Sequence, residues 1–169
     1  MAECVNLTLK MIIDLKTWKT VNLIISLHKQ FPTLKTNSII TSFYPNLLYK
    51  LRSSDPQILT AISTRPNLLS LAAWDGTSGG ERERFSGIKQ VVAMFLDMLF
   101  NPLLEQLLWW MLGLSAVLVH RAVVSREYVD MWKRKGVRVM AWTDNCPLEK
   151  EFMRKVPGVQ VLTDTMEKK

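Results

Sequence analysis

The sequence predicts an α/β fold of parallel strands and covering helices, and three observations carry that expectation. Short apolar runs alternate with segments of helical period along most of the chain, the pattern of βαβ units. The run around Ile12 and Ile13 is apolar at Met11, Ile12, Ile13 and Leu15 alike, as in a strand covered by helices on both faces. That run ends in Asp14 and Lys16, which at i and i+2 of a strand share one face. In parallel sheets of this kind the chemistry sits at the C-terminal strand ends.

Each element follows from local signals. The first strand is expected over 7–15. Beyond it, "TWKTVNLIISLHKQF" repeats apolar residues at helical spacing and stops at Pro32. A second strand is expected over 38–43, and Pro45 then stands at the first position of a helix, where its missing N–H is harmless. "QILTAIST" reads as a third strand, over 58–63. Ser125 to Gly136 has a serine cap, a helical period and a terminal glycine. A strand over 137–142, a helix opened by Pro147 and a last strand over 159–163 complete five strands.

Between these regular parts lie two irregular ones. Trp74 to Gly87 is a glycine-rich charged loop whose spacing fits no phosphate-binding fingerprint. Residues 88–119 form the most apolar segment of the chain and are expected to be helical. Gln90, Asp97, Asn101 and Glu105 are spaced seven, four and four apart, along one side of such a helix, and Asn101-Pro102 is expected to break or kink it. Its longest charge-free stretch, Gln106 to Val119, is fourteen residues, short of the ~20 that a spanning helix needs. Two readings compete: a helix packed on the core, or one lying in a membrane interface with Trp109 and Trp110 at headgroup depth.

Composition narrows the class. The 169 residues suit one domain, and 48% apolar content argues against disorder. Lysine and arginine outnumber acids 22 to 15, which suits an anionic surface or a phosphate-bearing substrate. No nucleic-acid motif accompanies the scattered basic residues. Cys4 and Cys146 match neither a disulfide framework nor a metal site. Asn6-Leu7-Thr8 is a formal glycosylation sequon, and the N-terminus shows no signal-peptide pattern.

Three fragments in order, "IIDLK", "ITSFYPNLLYKLRSSDPQI" and "VRVMAWTDNCPLEKEF" with "GVQVLTD", resemble the second half of the glycerophosphodiester phosphodiesterase family, whose signatures read like E-I-K, S-S-F-x-P, W-T-V-N and I-T-D. The resemblance runs from about Leu7 to Thr165. It implies a C-terminal portion of a (β/α)8 TIM barrel, its fourth to eighth strands, forming one partial domain over 1–169 with an insertion at about 74–119. The apolar segment before His120 looks most like the membrane-associated animal subgroup that hydrolyses glycerophosphoinositol and lysophospholipid-type N-acylethanolamine precursors.

What the resemblance implies about chemistry is specific. Asp14 occupies the place of a carboxylate that binds a divalent cation, magnesium or calcium, and hard cations favour carboxylate oxygens. Lys16 stands where the family places a lysine beside the phosphate, to stabilise charge building on phosphorus. Trp142 matches the tryptophan that lines the substrate pocket, and Ser42 is expected to hydrogen-bond substrate or a metal-bound water. Thr143 and Asn145 fit the signature, whereas Asp144 replaces an apolar residue. Asp14 is one methylene shorter than the usual glutamate. The family's histidine pair and its E-x-D carboxylates have no counterpart in this sequence, and neither His28 nor His120 stands in a matching motif. The implied activity is metal-dependent hydrolysis of glycerophosphodiesters to glycerol 3-phosphate and an alcohol near a membrane surface, with this chain alone expected to be inactive. A non-catalytic membrane- or partner-binding product is the alternative, and an unrelated doubly wound α/β domain is the plainest one.

Overall fold

The computed structural model describes residues 10–73, 82–142 and 147–163. They fall into two compact units divided after Ile62.

In the first unit, β1 (Met11–Asp14), β2 (Ser38–Ser42) and the first three residues of β3 (Thr60–Thr64) run parallel, with Met11 opposite Ser38, Asp14 opposite Thr41 and Ile40 opposite Thr60. The helices Trp18–Gln30 and Pro45–Ser54 cover one face. Val21, Ile24 and His28 point inward from the first, as i, i+3, i+7 spacing requires. Leu15, Val21, Ile24, Ile40, Leu47, Leu51 and Ile58 form the core, with Ile13 packed against it. Strand alternation then divides the sheet: Ile13, Leu15 and Ile40 face the helices, and Ile12, Asp14 and Thr41 face the other way. His28 is a structural residue, its Nδ1 2.9 Å from the Ile24 carbonyl and its Nε2 3.1 Å from the Ser38 hydroxyl.

The second unit contains another parallel set, β6 (Ala116–His120), β7 (Arg138–Trp142) and β8 (Val159–Val161), with Ala116 opposite Arg138, His120 opposite Trp142 and Val139 opposite Val159. An antiparallel pair, β4 (Leu71–Ala73) and β5 (Arg82–Glu83), precedes it, so part of the expected loop at 74–87 is strand; residues 74–81 lie outside the described residues. The helix Arg126–Arg134 begins at Ser125, whose hydroxyl accepts the Tyr128 N–H. It ends with Val137 N donating to Trp132 O and Gly136 N to Lys133 O, Gly136 holding φ +73°, a Schellman motif. Both signals were legible.

The described residues contain six parallel strands, one more than expected, because the segment 88–119 is not helical throughout. The helix runs from Ile88 to Met111 and stops at a second Schellman motif, Leu114 N to Trp109 O and Gly113 N to Trp110 O, with Gly113 at φ +58°. The released residues Ala116–His120 form β6, buried at every position. Pro102 does not end the helix; a π-turn over Leu104–Leu108 follows it, the adjustment that absorbs a missing backbone donor. At 24 residues and a mean hydropathy of 1.5 over its most apolar window, Ile88–Met111 is long and apolar enough to cross a membrane, by length and composition. The charge-free count from Gln106 understated it, because the apolar run extends upstream through Asp97.

Candidate active site

Asp14 closes β1, and Lys16 lies two residues on with its ammonium 3.9 Å from the carboxylate. Both side chains are open, 81% exposed for Lys16 and 38% for Asp14. An exposed pair at this separation contributes under about 1 kcal/mol to folding. The pair is therefore not a stabilising element, and both groups are accessible to an external ligand.

Ser42 lies elsewhere. Two residues beyond Ile40 on β2, it is on the helix-covered face, fully buried. Its hydroxyl donates to the Leu15 carbonyl at 2.7 Å and accepts the Tyr44 N–H at 3.1 Å. Through these bonds Ser42 pins the end of β1 beside Lys16. The residue on β2 that shares the face of Asp14 is Thr41, its register partner.

In the second unit, Trp142 stands at the C-terminal end of β7, half-buried. His120, its register partner at the end of β6, meets it edge-on with ring centroids 5.5 Å apart and planes at 89°. His120 Nδ1 accepts the Ala122 N–H at 3.3 Å, so in the neutral ring Nε2 carries the proton and is a donor. Sequence reasoning gave His120 no role because it stands in no motif that matches the family's histidines. Its signal was a polar residue closing the apolar run "AVLV". Thr143, Asp144 and Asn145 lie outside the described residues.

Among the described residues no three His, Cys, Asp or Glu side chains cluster as a metal site. Asp14 offers one carboxylate, whereas magnesium and calcium take six or more oxygen ligands. The described residues alone therefore do not fit a bound cation.

A polar hollow lies in the second unit beside the long helix. It encloses about 550 Å³ and is lined by Asn67, Ser70, Glu83, Gln90, Asp97 and Asn101 among others. Asp97 closes one wall, accepting the backbone N–H of Leu69 and of Ser70 at 2.8 Å each. Those bonds hold the turn after β3, where Asn67 adopts φ +53°, a left-handed conformation asparagine tolerates. Within the helix Arg126–Arg134, burial pushes the Tyr128 phenol up to about 12.

Comparison with known proteins gives these positions a context. No family model matches the chain. Glycerophosphodiester phosphodiesterase 1 of Bos taurus is 34% identical over 168 residues, 98% of this chain and 49% of that protein. The Homo sapiens protein of the same name is 32% identical over 167 residues, again 98% and 49%. The chain thus spans about half the length of the relatives it matches. Among solved structures, a glycerophosphodiester phosphodiesterase of Parabacteroides distasonis aligns with a TM-score of 0.57 at 15% identity, over 92% of this chain and 53% of that one. A phosphodiesterase of Oleispira antarctica in complex with the product sn-glycerol-3-phosphate aligns at 0.53 and 15% identity, over 93% and 52%. The fold is that of a C-terminal portion of a TIM barrel, with six strands in place of the five expected. In sequence and in fold alike, this chain resembles the glycerophosphodiester phosphodiesterases over about half of their length.

Proposed function

We propose that this chain supplies part of a metal-dependent phosphodiesterase that hydrolyses glycerophosphodiesters, including lysophospholipid-type substrates, to glycerol 3-phosphate and an alcohol at a membrane surface. The observation that carries the reading is the exposed Asp14–Lys16 pair at the end of a parallel strand, in a chain 34% identical to a glycerophosphodiester phosphodiesterase across nearly all its residues. Lys16 places a mobile cation where it can meet a phosphate oxygen and stabilise charge growing there. Asp14 would contribute one oxygen ligand to a divalent cation, calcium or magnesium, held otherwise by residues beyond those described, and such a cation would supply Lewis-acid stabilisation of the phosphoryl charge. Trp142 offers an apolar wall for the glycerol carbons, and His120 steadies its ring. Ser42 acts through the backbone of β1 as a positioning residue.

The test is complementation. The chain is produced alone and together with the half of a relative that it does not span, and hydrolysis of glycerophosphoinositol is followed with magnesium or calcium. Turnover is expected from the pair and not from the chain alone, and Asp14→Ala or Lys16→Ala should lower it by at least about a hundredfold, the scale of losing one transition-state contact. Robust turnover by the chain alone would refute the division of labour. Unchanged turnover in both variants would refute the site. Because the described residues hold no three-ligand cluster, a second reading stands beside this one: a product that binds a membrane or a partner without turnover. It requires the complemented pair to remain inactive.

A further inference from the structure

The helix Ile88–Met111 is turned inside out relative to a helix packed on a soluble core. Its polar side faces the protein. Gln90 and Asp97 are buried, Gln90 Oε1 accepts the Phe85 N–H at 3.2 Å, and both Asp97 oxygens are occupied by backbone donors of the turn after β3. Farther along, the Lys135 ammonium donates to the Glu105 carbonyl and lies 5.6 Å from the Trp109 ring centroid. These contacts at residues 90, 97 and 105 extend over about 22 Å at 1.5 Å per residue, about two thirds of the helix.

Its apolar side faces outward. Val91, Phe95, Leu99, Leu103 and Trp110 are each at least 45% exposed, and no exposed residue between Lys89 and Met111 carries a charge. At about 100° per residue the exposed apolar positions sweep roughly two thirds of the helix circumference. A partner helix or groove covers a narrower stripe, read as i, i+3, i+4, i+7 anchors. A fluid apolar phase wets the whole arc. The ends complement such a phase carrying anionic headgroups, with exposed Arg82 and Arg84 before the helix, exposed Lys89 in its first turn, and exposed Lys133 and Arg134 beside its tethered C-terminal part.

We infer that this helix lies in a single leaflet, parallel to the membrane plane, and does not span the bilayer. The inference rests on the membrane reading above and deepens it. In a spanning pose Asp97, near the helix midpoint, would sit at the bilayer centre, where a carboxylate is among the costliest side chains; its bonds to Leu69 and Ser70 and the bond between Glu105 and Lys135 would be severed. In the plane of one leaflet every anchor stays made, and the outward arc enters the acyl region as in monotopic proteins.

The experiment uses the full chain with Cys4 and Cys146 replaced by serine, and sealed vesicles of phosphatidylcholine and phosphatidylserine. Ser86→Cys and Arg126→Cys place a single thiol on either side of the helix in sequence. The protein is expected to float with the vesicles, and a membrane-impermeant maleimide should label both thiols fully without detergent. Phe95→Glu with Leu99→Glu should lower the vesicle-bound fraction by more than about tenfold. Flotation with one thiol protected would show a spanning helix, overturning this inference and leaving membrane association intact. Failure of the unmodified face to float would overturn membrane association itself. A dimer in vesicle-free solution that the glutamates dissociate, with no flotation, would assign the face to a second copy of the chain and overturn both.

Discussion

Replacing Asp97 by alanine isolates the contact that joins the long helix to the rest of its unit. The carboxylate accepts two backbone N–H groups at 2.8 Å, and its residue is 7% exposed. A hydrogen bond to a charged group contributes about 1.5–3 kcal/mol, so two lost in full would remove about 3–6 kcal/mol. The adjoining hollow of about 550 Å³ admits water that can re-pair part of the freed turn, which brings the expected loss to about 2–4 kcal/mol. Asp97→Asn keeps the shape and one carbonyl oxygen, and should lose about half as much. Denaturant unfolding followed by tryptophan fluorescence gives the free energies, and amide exchange at Leu69 and Ser70 reports the turn directly. A loss under about 0.5 kcal/mol for Asp97→Ala, or unchanged protection at both amides, would refute the view that the helix is fastened through its polar side.

Two titrations test the electrostatics of each unit separately. The Lys35 ammonium, 2.7 Å from Asp55, hydrogen-bonds the carboxylate and, with the Gln57 N–H, holds its pKa below the ordinary 3.8. That contribution is present above the unfolded value and is lost as pH falls through the lower folded one; Asp55→Asn should therefore remove under about 1 kcal/mol at neutral pH and flatten the acid limb of a stability profile, which an unchanged limb would contradict. In the second unit, desolvation raises Tyr128 from 10.0 to about 12. The folded state keeps a proton that the unfolded chain releases, so stability should fall between those two values, and a spectrophotometric titration should lose its late-ionising step in Tyr128→Phe.

How much of this was legible in the sequence depends on how local each signal is. Strands bounded by proline, glycine or charge, such as Ser38–Ser42 and Arg138–Trp142, were placed to within a residue or two. The strand Ala116–His120 was missed because "SAVLVH" continues an apolar run without a polar break, and periodicity does not separate a buried strand from a buried helix. Gly113 was the available boundary. The polar stripe on the long helix was legible from its spacing, but its direction was not: a row of Gln, Asp, Asn and Glu ordinarily faces water, and here the turn after β3 offers it unpaired backbone donors. The face of Ser42 was not legible: Ile40 packs under the helices, and the hydroxyl two residues on follows it. Asp14 and Lys16 were legible because i and i+2 alternation needs no tertiary information.

The pairing of Asp14 with Thr41 and Ile13 with Ile40 has a bearing on how genes of this lineage can vary in length. Side chains alternate with a period of two, so a single-codon insertion or deletion within Met11–Asp14 would turn the carboxylate beneath the helices and push Ile13 out into water. Length changes among related coding sequences should accordingly cluster at connections such as Phe31–Thr33 and spare this four-residue run.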